Sequence, residues 1–148
     1  MASLFDDAAQ RLLLERFRRL TENSKPRWGK MNAAQMLAHL NDSLRMAAGE
    51  LATKSKRLPI RFFPLKQLII YVLPFPKGAP TAPELIARLD RAQWDEEIEA
   101  FPQTLDRVAR VPETATWPVH PAFGLISRRG WGVLVYRHIS HHFSQFGV

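Results

Sequence analysis

Two histidines near the end of the sequence, His138 and His142, are four residues apart in a segment with a helical pattern. Side chains at this spacing share one face of an α-helix, so both imidazoles can reach one metal ion. Trp131 and Gln145 fall on the same side, which predicts that the pair points inward or into a cleft. The alternative is a surface pair near a helix C-terminus, where the helix dipole favours histidine.

His39 is the candidate for a third ligand because it lies on a separate predicted helix. Its neighbours Met36, Leu40 and Leu44 form an apolar face that must meet another helix of the fold. A buried histidine bonded to a backbone carbonyl is the alternative interpretation. Three histidines from two helices would leave a coordination position for water or substrate, as in catalytic metal sites.

Other polar residues near this candidate site have more than one interpretation. His141 points away from the His138 direction and is expected beside the site or on the surface. Gln145 can bond a bound water or a ring nitrogen, or be solvated. His120, between two prolines, either lines the site or packs its loop. Asp42 or Glu50 can orient an imidazole or act as a base, and the sequence does not choose between them.

Four long helices are predicted to position these residues. They cover residues 5–20, 32 to about 52, 88 or 90 to 109, and a final helix capped by Ser127. The first should bury Leu4, Ala8, Leu12 or Leu13, and Phe17. In the second, Asn32 and Gln35 form a capping-box pattern. In the third, a kink or restart is expected at Pro102.

The segment 53–83 holds most of the prolines and is interpreted as a long connection with one short helix at about 65–73. Connections of this length are unusual in compact domains and often cover a site. No repeat, glycine-rich phosphate loop or strand-like alternation is found. The sequence therefore predicts an all-α, up-down four-helix bundle with a long Pro-rich connection between helices 2 and 3.

Composition limits the function classes. A length of 148 residues with 46% apolar content predicts a single domain, 1–148. The absence of cysteine excludes disulfides, thiolate metal ligands and cysteine nucleophiles. The N-terminus lacks a signal-peptide pattern, and prolines and charges interrupt the most apolar segment, so no membrane span is expected. A cytoplasmic location is predicted.

The net charge of +7 raises a second hypothesis, a non-enzymatic helical bundle that binds an anionic partner or a membrane surface. The basic face would contain Arg16, Arg19, Lys54, Lys56 and Arg57. The charges are interspersed with other residues, and the nearest thing to a patch consists of Lys54, Lys56, Arg57, Arg61 and Lys66. An interspersed basic surface is more often explained by solubility, and binding to nucleic acid is not expected.

Several segments together resemble the DinB/YfiT-like superfamily, and more narrowly a branch known as a domain of unknown function. They are residues 28–39 (WGKMNAAQMLAH), 120–124 (HPAFG), Trp131, and 136–147 (YRHISHHFSQFG). The most specific element is the mid-helix histidine combined with a terminal His-x-x-x-His followed by Gln. The chain keeps Gln145 of the family's usual His-Arg-Gly-Gln ending and has Phe143 and Ser144 between it and His142.

The resemblance implies a four-helix bundle, often a homodimer, in which three histidines hold a divalent metal, commonly Zn or Ni. The ligands would be His39, His138 and His142. Family members with known activity are metal-dependent transferases and isomerases that use low-molecular-weight thiols. The expected function is a divalent-metal-dependent transferase or hydrolase acting on a small molecule. A catalytically inactive member that keeps the fold and the histidines is a further hypothesis.

Overall fold

The chain folds into an all-α structure in the computed structural model, which describes residues 1–79, 81–86 and 88–148. Four long helices and one short helix are joined by loops and by single 3-10 turns. The α-helices are α1 Asp7–Phe17, α2 Ala33–Ala47, α3 Leu65–Tyr71, α4 Trp94–Ala109 and α5 Arg128–Gln145. The 3-10 turns are Pro59–Arg61, Pro83–Leu85 and Leu89–Arg91. The predicted fold class is confirmed, and α3 lies in the Pro-rich connection.

α1 turns the face Ala9, Leu13 and Phe17 into the core. Of the two predicted alternatives Leu13 is therefore the buried one, whereas Leu12 is exposed. The prediction for Ala8 was wrong, because Ala8 is exposed and Ala9 takes its place. Residues 9, 13 and 17 follow one another at four-residue spacing, which keeps them on one side of the helix.

α2 begins with the predicted capping box. The Asn32 side chain accepts a hydrogen bond from the Gln35 backbone N–H at 2.8 Å, and the Gln35 side chain accepts one from the Asn32 N–H at 3.0 Å. The helix ends at Ala47, earlier than the predicted end near residue 52. Gly49 ends it by adopting a φ of 77°, a left-handed conformation that glycine adopts without steric cost.

α4 begins at Trp94, later than the predicted start at residue 88 or 90. It is one continuous helix through Pro102, so of the two predicted alternatives, a kink or a restart, the restart does not occur. Proline removes one backbone hydrogen bond from a helix interior, and the residues on either side of it in α4 contribute to the core. Phe101 stacks on Phe17 of α1 at a ring-centroid distance of 4.7 Å, and Leu105 and Val108 are also buried.

α5 begins at its predicted cap, where the Ser127 hydroxyl accepts a hydrogen bond from the Gly130 N–H at 3.1 Å. Its C-terminal end is held by α1, because the Arg16 guanidinium donates to the backbone carbonyls of Ser140 and Val148 at 3.1 and 2.8 Å. These bonds tie α1 to the last turns of α5 and to the chain end that follows it.

The bundle packs α2 against α4, α1 against α5, and α2 against α5. The last pairing sets the apolar face of α2, which includes His39, beside the C-terminal half of α5. Among the described residues, no helix is long and apolar enough to cross a membrane.

A buried polar cluster joins α2 to α4. The Asn41 amide donates to the Glu97 carboxylate at 2.7 Å, and the Thr104 hydroxyl donates to Asn41 Oδ1 at 2.8 Å. Arg88, which lies between the Pro-rich connection and α4, bonds both Glu97 and Asp42. The Glu97 and Asp42 carboxylates raise the pKa of Arg88, Glu97 having the larger effect. These bonds satisfy groups that would be costly to bury alone.

Candidate metal centre

Three histidines from α2 and α5 converge at one point between the helices. His39 and His142 are buried and His138 is half-buried. The Nε2 atom of His138 lies 3.0 Å from Nε2 of His39 and 3.1 Å from Nε2 of His142. The three ring centroids form a nearly equilateral triangle with sides of 4.8, 4.9 and 5.0 Å. This group could hold a metal ion.

The distances between the nitrogens fit the size of a metal site. Two imidazole nitrogens at about 2.0–2.1 Å from one ion are roughly 2.9–3.4 Å apart for bond angles between a right angle and the tetrahedral angle. Two of the three Nε2 separations, 3.0 and 3.1 Å, fall in that range. Lone pairs this close repel one another unless a proton or a cation lies between them, and the apolar surroundings make that repulsion stronger.

Gln145 determines which nitrogen of His142 faces the cluster. The Gln145 amide nitrogen donates to the backbone carbonyl of Trp28 at 2.7 Å, and a carbonyl can only accept. The amide oxygen therefore faces His142 Nδ1, at 2.7 Å, and this nitrogen must carry the hydrogen. The lone pair of His142 is then on Nε2, directed at His138, which is the tautomer that a metal ligand requires.

Burial keeps the three imidazoles neutral. It lowers the pKa of His39 to about 4, and burial together with the charge of His39 lowers the pKa of His142 to about 3. The pKa of His138 is also lowered, first by burial and then by His142 and His39. At neutral pH all three rings are neutral, so each has a ring nitrogen with a free lone pair that an ion can bind without displacing the proton of an imidazolium.

The same shifts predict that the metal-free protein loses stability in acid. A histidine with a pKa near 6.5 when unfolded and about 4 when folded binds protons preferentially in the unfolded state. Its stabilising effect is complete above about pH 6.5 and is lost as the pH falls towards 4. We expect a loss of about 2 kcal/mol for each such histidine between about pH 7 and pH 5.

Urea unfolding of chelator-treated protein measures this loss. His120, whose pKa burial also lowers to about 4, provides the control, because it lies outside the three-histidine group. The variant His120→Gln should lose less stability than wild type over the same pH interval. Equal losses in the two proteins, or no loss in either, would contradict the assignment of buried neutral histidines.

The other two histidines lie outside the group. The His141 ring is at 5.7 Å from Trp28 and 5.3 Å from His142, measured between centroids, which places it beside the site as predicted. His120 packs on Phe123 at 4.9 Å, and its Nδ1 accepts the Ala122 and Phe123 backbone N–H groups. His120 thus has the loop-packing role, the simpler of its two interpretations.

The two candidate acids have other partners. Asp42 accepts hydrogen bonds from Arg45 and Arg88, and it acts on His39 only as a nearby charge that raises its pKa against the larger effect of burial. Glu50 forms an exposed ion pair with Arg107 at 3.0 Å. The structure therefore favours neither of them as a base at the histidine group.

Residues around the group complete the site, and sequence reasoning missed most of them. Phe75, from the Pro-rich connection, lies 6.3 Å from His138 and 6.0 Å from His141 between ring centroids. The Lys77 ammonium lies over the Trp28 ring at 4.6 Å. The connection therefore reaches the histidines, as its length suggested. A Phe-Pro-Lys sequence in a loop gives no signal by itself of such a position.

These features together define a helical-bundle protein with a candidate metal centre between its second and last helices. Residues 6–146 match the family model of the DinB superfamily, and the chain belongs to that superfamily. No curated protein and no solved structure matches the chain.

Proposed function

We propose that this protein is a divalent-metal-dependent enzyme, a transferase or hydrolase that acts on a small molecule. The metal ligands are His39, His138 and His142. The observation that supports this most strongly is the convergence of their imidazoles from two helices, with two Nε2 separations of 3.0 and 3.1 Å. Nitrogen-only ligation suits Zn or Ni. When bound, the ion would supply Lewis acidity that lowers the pKa of a thiol or water in contact with it.

The protein's own residues prepare the site for this chemistry. Gln145 holds the His142 ring in the required tautomer, and its bond to the Trp28 carbonyl fixes its own orientation. Phe75 and Trp28 place aromatic rings beside His138 and His141, and such apolar surface would help to keep water away from a reacting group. Burial and the nearby Lys77 lower the pKa of His141, so this ring is neutral and able to accept a proton from an incoming thiol or water.

The Lys77 ammonium, which lies over the Trp28 ring next to His141, favours a substrate with an anionic group. A low-molecular-weight thiol is the substrate class we propose, on the strength of the family membership. We further propose a single domain, 1–148, acting in the cytoplasm. The homodimer stays a prediction.

Cobalt substitution tests whether the site is open and accepts thiols. Protein loaded with Co²⁺ should develop a sulfur-to-cobalt charge-transfer band when cysteine is added, and S-methylcysteine, which lacks the thiol, should produce none. Absence of the band with cysteine would reject the thiol form of the proposal. If adding azide also leaves the cobalt spectrum unchanged, the site is closed and structural. That result would reject the proposal that the protein is an enzyme.

One of the residues assigned to the basic face of a non-enzymatic bundle has another role in the structure. Arg16 is bound to the carbonyls of Ser140 and Val148, so its guanidinium stabilises the end of α5 and is not part of a free basic face. The hypothesis of an inactive family member predicts an ion in the site with no response to thiols or azide, which the cobalt experiment also tests.

A further inference from the structure

An exposed apolar surface lies on the outer side of the Pro-rich connection. We call it the outer patch, and it comprises Phe62, Phe63, Leu65, Leu68, Val72 and Leu73. Phe62, Phe63 and Val72 are 64, 80 and 65% exposed. Leu65, Leu68 and Val72 are spaced by three and four residues, which aligns them on one side of α3. Contiguous exposed apolar surface of this kind commonly marks an interaction site.

The fold holds this surface outward. The opposite side of α3 is fixed by Ile70, which is buried in a small core with Phe123, Val133 and Leu134. The Arg137 guanidinium donates to the Ile69 carbonyl at 2.8 Å and also to the carbonyls of Ile70 and Leu73. Because both the inner face and the C-terminal end of α3 are held by α5, the outer patch cannot turn into the core.

The segment that carries the patch is strongly basic. Residues 53–83 contain no Asp or Glu and six basic residues, which are Lys54, Lys56, Arg57, Arg61, Lys66 and Lys77. This one segment therefore carries +6 of the chain's net charge of +7. In the part of the chain that the structure describes, none of the six side chains forms an ion pair with a carboxylate.

An open cleft joins the charges to the apolar surface. It has a volume of about 480 Å³ and is lined by Ser55, Arg57, Arg61 and Phe62. The Arg61 guanidinium is held in place by bonds to the Lys56 carbonyl and the Ser55 hydroxyl, both at 3.0 Å. Arginine side chains bind phosphate oxygens in well-defined geometry, so the cleft suits a phosphate group next to an apolar chain.

We infer that this face binds the surface of a membrane containing anionic phospholipids, with Phe62, Phe63 and α3 in the interface and Arg57 and Arg61 on headgroup phosphates. Aromatic and aliphatic side chains beside lysine and arginine are the composition of interfacial segments. A second copy of the chain would bring two strongly positive segments together, which is unfavourable. Nucleic acid would neutralise the charges but would give the exposed Leu and Val side chains no apolar environment.

Vesicle co-sedimentation with the full chain tests the inference. Vesicles of phosphatidylcholine with about 30% phosphatidylserine should bind the protein, pure phosphatidylcholine should bind it far less, and added salt should weaken binding. Phe62→Ser with Phe63→Ser should reduce the partition coefficient at least roughly tenfold. Arg57→Gln with Arg61→Gln should reduce it roughly 25-fold, at about five-fold for each charge.

Matched controls use exposed residues elsewhere on the protein. Leu12→Ser removes an exposed apolar side chain from α1, and Arg18→Gln with Arg19→Gln removes the same charge beyond its end. Both control variants should bind vesicles like the wild type, and all variants should have the same circular dichroism spectrum as the wild type. Equal losses in the control variants, or no binding to anionic vesicles, would overturn the inference. A third outcome would also overturn the inference: the wild-type protein is a dimer in light scattering, the double variant Phe62→Ser with Phe63→Ser is a monomer, and the wild type does not bind vesicles.

Discussion

The variant His138→Ala should lose the bound metal. Untagged wild-type protein is expected to contain about one equivalent of divalent ion, and the variant less than about a tenth of that. The reason is geometric, because His138 Nε2 lies within 3.0 and 3.1 Å of the other two Nε2 atoms and joins them into one group. Without it, two neutral imidazoles remain, which bind divalent ions weakly. Elemental analysis of purified protein measures the content.

Two further variants show whether the loss is specific. His141→Ala removes an imidazole that lies beside the three-histidine group, and metal content should not change. Gln145→Leu leaves all three proposed ligands in place but removes the bond that sets the His142 tautomer, so metal affinity should fall about 10- to 100-fold. Full retention of metal by His138→Ala, or equal loss in His141→Ala, would refute the ligand assignment.

The variant Glu97→Ala should cause the largest loss of stability among side chains outside the core. The Glu97 side chain is only 2% exposed and accepts bonds from Asn41 and Arg88. Its removal leaves the buried Asn41 amide with fewer partners and Arg88 without one of its two carboxylates. We expect the free energy of unfolding to fall by about 3 kcal/mol, because Arg88 keeps Asp42 and is partly solvated.

Urea unfolding at neutral pH measures this effect, with Glu99→Ala as the matched control. Glu99 is an exposed acid on the same helix, so its removal should change stability by less than about 0.5 kcal/mol. Glu97→Gln, which keeps an acceptor and loses the charge, should fall between the two. A change in Glu97→Ala no larger than that in Glu99→Ala would mean that the polar cluster does not stabilise the α2–α4 contact.

Local signals in the sequence explain why most of the fold could be predicted. Asn32 with Gln35, and Ser127, are capping residues whose action depends on residues three positions away, so the starts of α2 and α5 were predicted correctly. The start of α4 has no side-chain cap and was predicted at residue 88 or 90, ahead of its position at Trp94. The errors occurred where distant packing decides. The local sequence does not distinguish Ala9, which is buried, from its neighbour Ala8, and it does not show that α4 continues through Pro102.

The candidate site was partly predictable for a related reason. The spacing of His138 and His142 on one helix is visible in the sequence, and the apolar neighbours of His39 indicated that its helix faces another. The rest depends on contacts between distant segments. The bond from Gln145 to the Trp28 carbonyl spans 117 residues, and Phe75 reaches His138 from a loop without regular pattern.

The most direct test of the metal centre is an anomalous difference map from crystals of untagged wild-type protein, measured at the absorption edge of the metal that elemental analysis finds. We predict one strong peak bonded to Nε2 of His39, His138 and His142, at about 2.0–2.1 Å from each. A peak bonded elsewhere, or crystals of metal-supplemented protein with no peak among these three rings, would contradict the account.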